Sequence, residues 1–493
     1  MAFSLIKQAI NKIIIRPKAF NNITQCPSKH FDSIDLKIIE AYNETRVDTD
    51  KDLLCYAPFK NIYFNIVGNA APCWLSFKDS DYYRGKSISE IWFGKKFEQI
   101  RHNISRNDLS GKCSLCEHYI KSGNYITPLA KAYDNQYKPG KYPVMLELEL
   151  ANTCNLECVM CNGILSSSIS KNRRNITPFQ APYDDTFVEQ LLEYIPHLEE
   201  IRFNGGEPFL NDIYYKIWEK VLIIKPGIKI VIATNGTVLN EKVKNILERG
   251  HFDINLSLDS LIKEIYENIR INANFEKTIS NLDYFQDYCL RKKSTLCILT
   301  NPMPQNWHEL PEFIHFCNER NLPIWFNTIQ SPFKHALWPL SSDKLNEIYT
   351  TLSNYSFTGN EIKAHSFHNI EVYHNLVHQQ IKTWMDEALE REKNKSNGLV
   401  TEVNSDKDPD NPEKYFYSEF QNLLEKKATG GELSVLEMEH YSQKLRRMID
   451  TLSLNTPKSE LFSLMSNYPV ETVVDAIISE DETVLIEIAK RMW

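Results

Sequence analysis

The sequence predicts an α/β protein built on a partial parallel barrel of six βα units, with a small cysteine-rich module before it and a helical extension after it. Three observations lead there. Between about residues 141 and 335, short β-rich runs alternate with amphipathic helical runs. Of the 11 cysteines, seven fall into tight groups that lie ahead of this alternation or at its start. Beyond residue 336 the strand signal ends and helical periodicity takes over.

At 493 residues the chain exceeds what one hydrophobic core usually holds, so several units are expected. Their expected bounds are 1–50, mostly helical in pattern; 51–140, the cysteine-rich module; 141–335, the barrel; and 336–493, the helical region. The N-terminal stretch MAFSLIKQAINKIIIRPK places Lys7 and Lys12 where an export signal would be apolar. It fits a short basic amphipathic helix packed on the body better. Strand candidates in the barrel are Val144–Leu150, Glu200–Asn204, Lys229–Ala233, Asp253–Leu258, Thr295–Thr300 and Pro323–Thr328. Helices such as Asp185–Tyr194 and Glu241–Arg249 lie between them. The charged, Asn/Asp/Pro-rich stretch Glu392–Lys414 is expected to be a linker, and the apolar pattern of Leu461–Met492 the core of a small bundle. A net charge of -8 offers no basic footprint for nucleic acid, and no apolar run approaches the ~20 residues that span a bilayer. A cytoplasmic location is expected.

The segment LELELANTCNLECVMCNG puts Cys154, Cys158 and Cys161 at C-x3-C-x2-C spacing directly after a strand. Three thiolates on one short loop can hold three irons of a [4Fe–4S] cube and leave the fourth open; a zinc site completed by a distant residue is the alternative. Clustered cysteines in a long chain favour metal over disulfides. The scattered Cys26, Cys289, Cys297 and Cys317 suit small buried residues.

Downstream, IRFNGGEPFLN, TNG (Thr234–Gly236), NLSLDS and IYENIR fall at the ends of successive strands or just after them. Together with the cysteine loop and Asn155, this set resembles the radical S-adenosylmethionine (SAM) superfamily. The resemblance implies that SAM chelates the open iron through its amino and carboxylate groups. It further implies that Gly205, Gly206 and Glu207 bind the methionine amino group, that Ser257 and Asp259 contact ribose or carboxylate, and that Arg270 lies near the carboxylate. The family's glycine-rich fifth-strand motif is not evident in CILTNPMPQNW.

Upstream, CYAPFKNIYFNIVGNAAPCW, SISEIWFGKKFEQIR and GKCSLCEHYIKSGN supply Cys55, Cys73, Cys113 and Cys116. This stretch resembles the first part of the SPASM and twitch auxiliary-cluster domains, here placed N-terminal to the barrel as in twitch-domain-containing radical SAM proteins. Four thiolates imply one auxiliary [4Fe–4S] cluster, with a zinc ribbon as the alternative.

Period-two alternation places Leu146, Leu148 and Leu150 on one face of the first strand and Glu147 and Glu149 on the other, toward the barrel lumen. Either glutamate can anchor a substrate amine or hydroxyl, or both can join Arg202 in a buried network. His365, His368, His374 and His378 suit packed or solvated residues rather than a metal site. The resemblance implies reductive SAM cleavage and hydrogen abstraction from carbon, fed by a flavodoxin- or ferredoxin-type donor. Oxidation, crosslinking or epimerisation of a peptide or amino-acid-derived substrate is expected. Dehydrogenation of a sugar or aminocyclitol, or an electron carrier without turnover, are the alternatives.

Overall fold

The computed structural model describes residues 34–46, 51–76, 81–83, 85–110, 113–125, 128–135, 137–174, 181–329, 332–357, 363–396, 412–429, 433–453, 458, 461–462 and 470–479. The N-terminal stretch, Cys26, most of the expected linker and the end of the Leu461–Met492 pattern lie outside these residues.

Nine strands form one sheet: β1 (Asn61–Phe64), β2 (Asn69–Ala71), β3 (Asp81–Tyr82), β4 (Met145–Leu148), β5 (Glu200–Phe203), β6 (Lys229–Thr234), β7 (Phe252–Ser257), β8 (Leu296–Thr300) and β9 (Ile324–Phe326). Their order is β3-β2-β1-β4-β5-β6-β7-β8-β9. From β4 to β9 every neighbour is parallel, which is the expected six-stranded partial barrel. The strand C-termini therefore share one end, where βα folds place their ligands.

Local sequence accounts for the alternation. Ile230, Ile232, Ile254 and Leu256 are fully buried beneath the helices, while the residues between them face the lumen and are partly exposed. Helices Asp185–Tyr194 and Glu241–Arg249 have the expected limits. Their starts are set by Asp184, which accepts from the amides of Thr186 and Phe187, and Asn240, which accepts from Val243.

One feature lay beyond periodicity. The cysteine-rich module does not merely pack against the barrel; its β1 pairs in parallel with β4, Tyr63 opposite Glu147, and extends the barrel sheet by one parallel strand. The boundary near residue 140 divides the sequence but not the sheet. The module and the helix before it share a small core around Tyr42, Ile104, Ile120 and Tyr133.

The region after 336 likewise splits. Helices Ser342–Ser353 and Ser366–Asn375, the π-helical turn Leu376–Ile381 and helix Lys382–Ser396 contribute Leu345, Ile348, Tyr373, Ile381 and Met385 to the barrel core. Asn369 accepts from the Ile324 amide at 3.1 Å and donates to the Leu322 carbonyl at 2.9 Å, covering the edge of β9. A second core, including Phe420, Leu424, Ile449, Val474 and Ile477, belongs to helices Pro412–Thr429, Val435–Leu452 and Val470–Ser479. Among the described residues, no helix is long and apolar enough to cross a membrane.

Candidate functional site

The chain leaves β4 through Glu149 and Leu150 and enters the loop of Cys154, Cys158 and Cys161, none of which is in a disulfide. The loop is held by polar residues from several elements. Ser167 Oγ accepts from the Cys154 amide at 3.1 Å, and Ser166 and Ser168 donate to the Leu156 and Cys154 carbonyls. Glu157, between the first two cysteines, accepts from Asn172, Arg173 and Asn272 at 2.7–2.8 Å. Asn155 donates to Thr237 Oγ1 at 2.9 Å and accepts from Asn235 at 3.1 Å, tying the loop to the end of β6.

The turn after β5 closes against this loop. Gly205 and Gly206 have φ of +82° and +56°, in the region that favours glycine. A Cβ on Gly206 would stand 2.5 Å from the Thr153 carbonyl oxygen, and one on Gly205 2.5 Å from Glu149 Cγ. Gly206 is thus required by backbone, and Gly205 by the Glu149 side chain, that the turn meets inside the protein. The Glu207 amide donates to the Thr153 carbonyl at 2.8 Å, and the Glu207 side chain is fully buried. Its carboxylate accepts from Thr234 Oγ1 and the Asn235 amide at 2.8 Å each and from the Phe209 amide at 3.1 Å. Burial nevertheless pushes it up to about 7, against those bonds. Among the described residues it has no cation at contact distance, which an amino group would supply.

At the far side, Asp259 is fully buried, with Oδ1 accepting from the amide and side chain of Asn301 at 2.8 and 2.9 Å. Its Oδ2 stands 2.6 Å from Arg270 Nη2, an ion pair rather than an aligned hydrogen bond. Asp259 thus faces Arg270, whereas Ser257 is partly exposed at the end of β7. Arg270 Nη1 lies 3.9 Å from Cys158 Sγ, and its buried Nε has no hydrogen-bond partner among the described residues.

Both cysteine groups fit iron–sulfur ligation. Burial raises Cys154 to about 11 and Cys158 and Cys161 as well, and ligation to a cation is what stabilises a buried thiolate. The Leu156 amide points at Cys154 Sγ at 3.5 Å, a donor of the kind that clusters use. Cys55, Cys73, Cys113 and Cys116 lie together in the module core, close enough for Cys55 to feel the charge of the other three. The Ala57 amide donates to Cys55 Sγ at 3.4 Å. Among the described residues, no group of three His, Cys, Asp or Glu suits a single metal ion. His374 and His378 are exposed, their ring centroids 5.5 Å apart, and His368 packs on Trp325. Cys289, Cys297 and Cys317 are buried, as expected.

The two cysteine groups flank the lumen from opposite ends. Cys55 precedes β1 and Cys73 follows the antiparallel β2, which puts both at the N-terminal end of β1, while Cys154 follows the C-terminal end of β4. Glu147 stands between. It accepts from Arg202 at 2.8 Å, Tyr133 at 2.9 Å and Asn61 at 3.3 Å, and Asn61 also donates to the Pro72 carbonyl beside Cys73. Glu147 therefore belongs to the buried network that alternation suggested. Glu149, one pleat closer to the Cys154 loop, is partly exposed and accepts from Tyr63, and burial raises its carboxyl.

A parallel barrel presenting three thiols at its strand ends, with a four-thiol module joined to its first strand, defines an iron–sulfur protein of the SAM-binding kind. Residues 148–317 match the radical SAM superfamily and residues 55–117 match SPASM, an iron–sulfur cluster-binding domain. The chain therefore carries a radical SAM domain with a SPASM domain ahead of it, and with them sites for a [4Fe–4S] cluster, SAM and an auxiliary iron–sulfur cluster. It is similar to GTP 3',8-cyclase of Chlorobaculum tepidum, 27% identical over 45% of this chain and 66% of that protein. Molybdenum cofactor biosynthesis protein 1 of Dictyostelium discoideum is 24% identical over 51% of this chain and 41% of that protein. The chain thus spans less than two thirds of the length of these curated relatives. Among solved structures, Streptococcus suis SuiB bound to S-adenosylmethionine is 17% identical, with a TM-score of 0.33 over 54% of this chain and 59% of that one.

Proposed function

We propose that this chain is a radical SAM enzyme that cleaves SAM reductively and abstracts hydrogen from a substrate carbon in the barrel lumen. The observation that carries this reading is the convergence of the Cys154 loop with Glu207, a buried carboxylate with no cation at contact distance among the described residues, at one end of the parallel strands. When bound, the cluster and SAM supply a 5′-deoxyadenosyl radical, the electron coming from a flavodoxin- or ferredoxin-type donor. The protein's residues hold and orient. Cys154, Cys158 and Cys161 ligate three irons; Glu207 and the turn of Gly205 and Gly206 receive the amino group; Ser257 and the Asp259–Arg270 pair border the rest of SAM. Cys55, Cys73, Cys113 and Cys116 hold the auxiliary cluster at the opposite end, placed to carry an electron from or to the substrate after abstraction.

The charge of the lumen bears on substrate class. Arg202 and Lys229, the cations on the lumen-facing register of β4–β7, are both ion-paired, to Glu147, Glu200 and Asp253. Glu149 adds a carboxyl with no cation beside it among the described residues. The lumen-facing register of β4–β7 thus offers no unpaired cation to a nucleoside triphosphate, the kind of substrate that the name of the cyclase relatives indicates, whereas Glu149 suits an amine- or hydroxyl-bearing one. We take the substrate to be peptide- or amino-acid-derived, undergoing oxidation, crosslinking or epimerisation.

Anaerobically reconstituted protein with dithionite and SAM should release 5′-deoxyadenosine and methionine slowly even without substrate. Glu207→Ala should weaken SAM binding roughly tenfold or more, the loss of a charge-assisted hydrogen bond. Wild-type affinity in that variant would remove Glu207 from the site.

A further inference from the structure

The cysteine loop is bonded to a segment that its spacing does not announce. The Glu157 amide donates to the Ile271 carbonyl at 3.0 Å and the Val159 amide to the Ile269 carbonyl at 2.9 Å. These two bonds straddle Cys158 on one side and Arg270 on the other, so they hold the two residues opposite each other. The register is clamped further. Arg270 ends helix Lys263–Ile269 with its amide bonded to the Tyr266 carbonyl at 2.7 Å, and Asn272, at φ +74°, donates its side chain to Glu157. Asp259, itself fixed by Asn301, aims the guanidinium. Arg270 is 5% exposed, so solvent screens its charge little. Asp259 offsets part of that charge, but Arg270 has the larger effect on the thiol, being the one with a donor 3.9 Å from Cys158 Sγ.

We infer that Arg270 tunes the cluster held by Cys154, Cys158 and Cys161: directed by Asp259, it donates through Nη1 to the Cys158 thiolate and makes that cluster easier to reduce. The inference rests on the reading that these three cysteines ligate a [4Fe–4S] cluster. Reduction adds one electron from an external low-potential donor and leaves the cluster and its thiolates more negative. A cationic donor at one thiolate stabilises the reduced form more than the oxidised one. Groups around a ligand sulfur are a recognised lever on such potentials. This role is separate from any contact with SAM, because it acts on the cluster before SAM arrives.

The test is a redox titration of the reconstituted full chain, followed by electron paramagnetic resonance without SAM. Iron content and circular dichroism are measured on each sample. Arg270→Gln should lower the equilibrium constant for reduction of the Cys154 cluster roughly tenfold, about 59 mV for a one-electron couple. Arg270→Lys, which keeps a charge but loses the planar fork, should shift it in the same direction by less. An unchanged potential in a variant that retains its iron would overturn the inference, also if SAM binding were weakened, because Arg270 would then serve SAM alone. If Arg270→Gln fails to load a cluster, the Lys variant decides by the same criterion. Absence of a SAM-responsive cluster from the wild type would instead defeat the underlying reading of the site, which keeps the two failures apart.

Discussion

Replacing Cys154, Cys158 and Cys161 together by Ala should reduce 5′-deoxyadenosine formation to background while leaving about half the iron in place. The wild type should carry about eight irons per chain if both groups hold [4Fe–4S] cubes. The loss should be confined because the loop hangs on side chains outside itself: Glu157 on Asn172, Arg173 and Asn272, Asn155 on Thr237 and Asn235. Those bonds do not need the metal to form. Iron analysis, circular dichroism and chromatographic detection of the nucleoside check the result. Stoichiometric zinc in the protein that remains would show that the upstream module was misassigned.

The converse variant, Cys113→Ala/Cys116→Ala, should keep SAM cleavage and lose completed turnover. On the proposed reading, cleavage belongs to the Cys154 end of the strands and needs no auxiliary centre. A substrate radical must still lose or regain an electron, and a cluster with four thiolate ligands offers it no open iron. Metal can hold a small module together, so folding is the confounder. The structure argues for survival, since β1 is paired with β4 over four residues and the module shares an apolar core with the helix before it. Circular dichroism and the residual iron should confirm it. Normal product yield from the folded variant would make the module structural and end the electron-path reading.

Much of this architecture was legible in the residues. The six barrel strands lie inside or within a residue of their expected ranges, because outward Ile and Leu alternate with lumen-facing residues and the helices at Asp185, Glu241 and Phe275 start on side-chain caps. The cysteine loop and the shared face of Glu147 and Arg202 were likewise readable from spacing and parity, whereas Glu207 was singled out by the resemblance of its motif. The joining of β1 to β4 was not. Asn61–Phe64 is buried on both faces and shows no alternation, and its partner lies more than 80 residues downstream in sequence. Nor was the clamp on the cysteine loop. Glu157, Asn172, Asn235 and Asn272 are ordinary polar residues in turns and at helix ends, and only the folded chain brings them together. The pairing of Asp259 with Arg270 belongs to the same kind, since each motif was readable alone but not that they would satisfy each other.

The Cys154 cluster should leave one iron to SAM, and the auxiliary cluster should not. Electron paramagnetic resonance of the reduced protein with and without SAM tests this most directly. In the Cys113→Ala/Cys116→Ala variant, where only the Cys154 cluster remains, SAM should change the signal. In the variant lacking Cys154, Cys158 and Cys161, the remaining signal should be indifferent to SAM. A Cys154 cluster whose signal ignores SAM, or an auxiliary cluster that responds to it, would show that the two clusters do not have these roles.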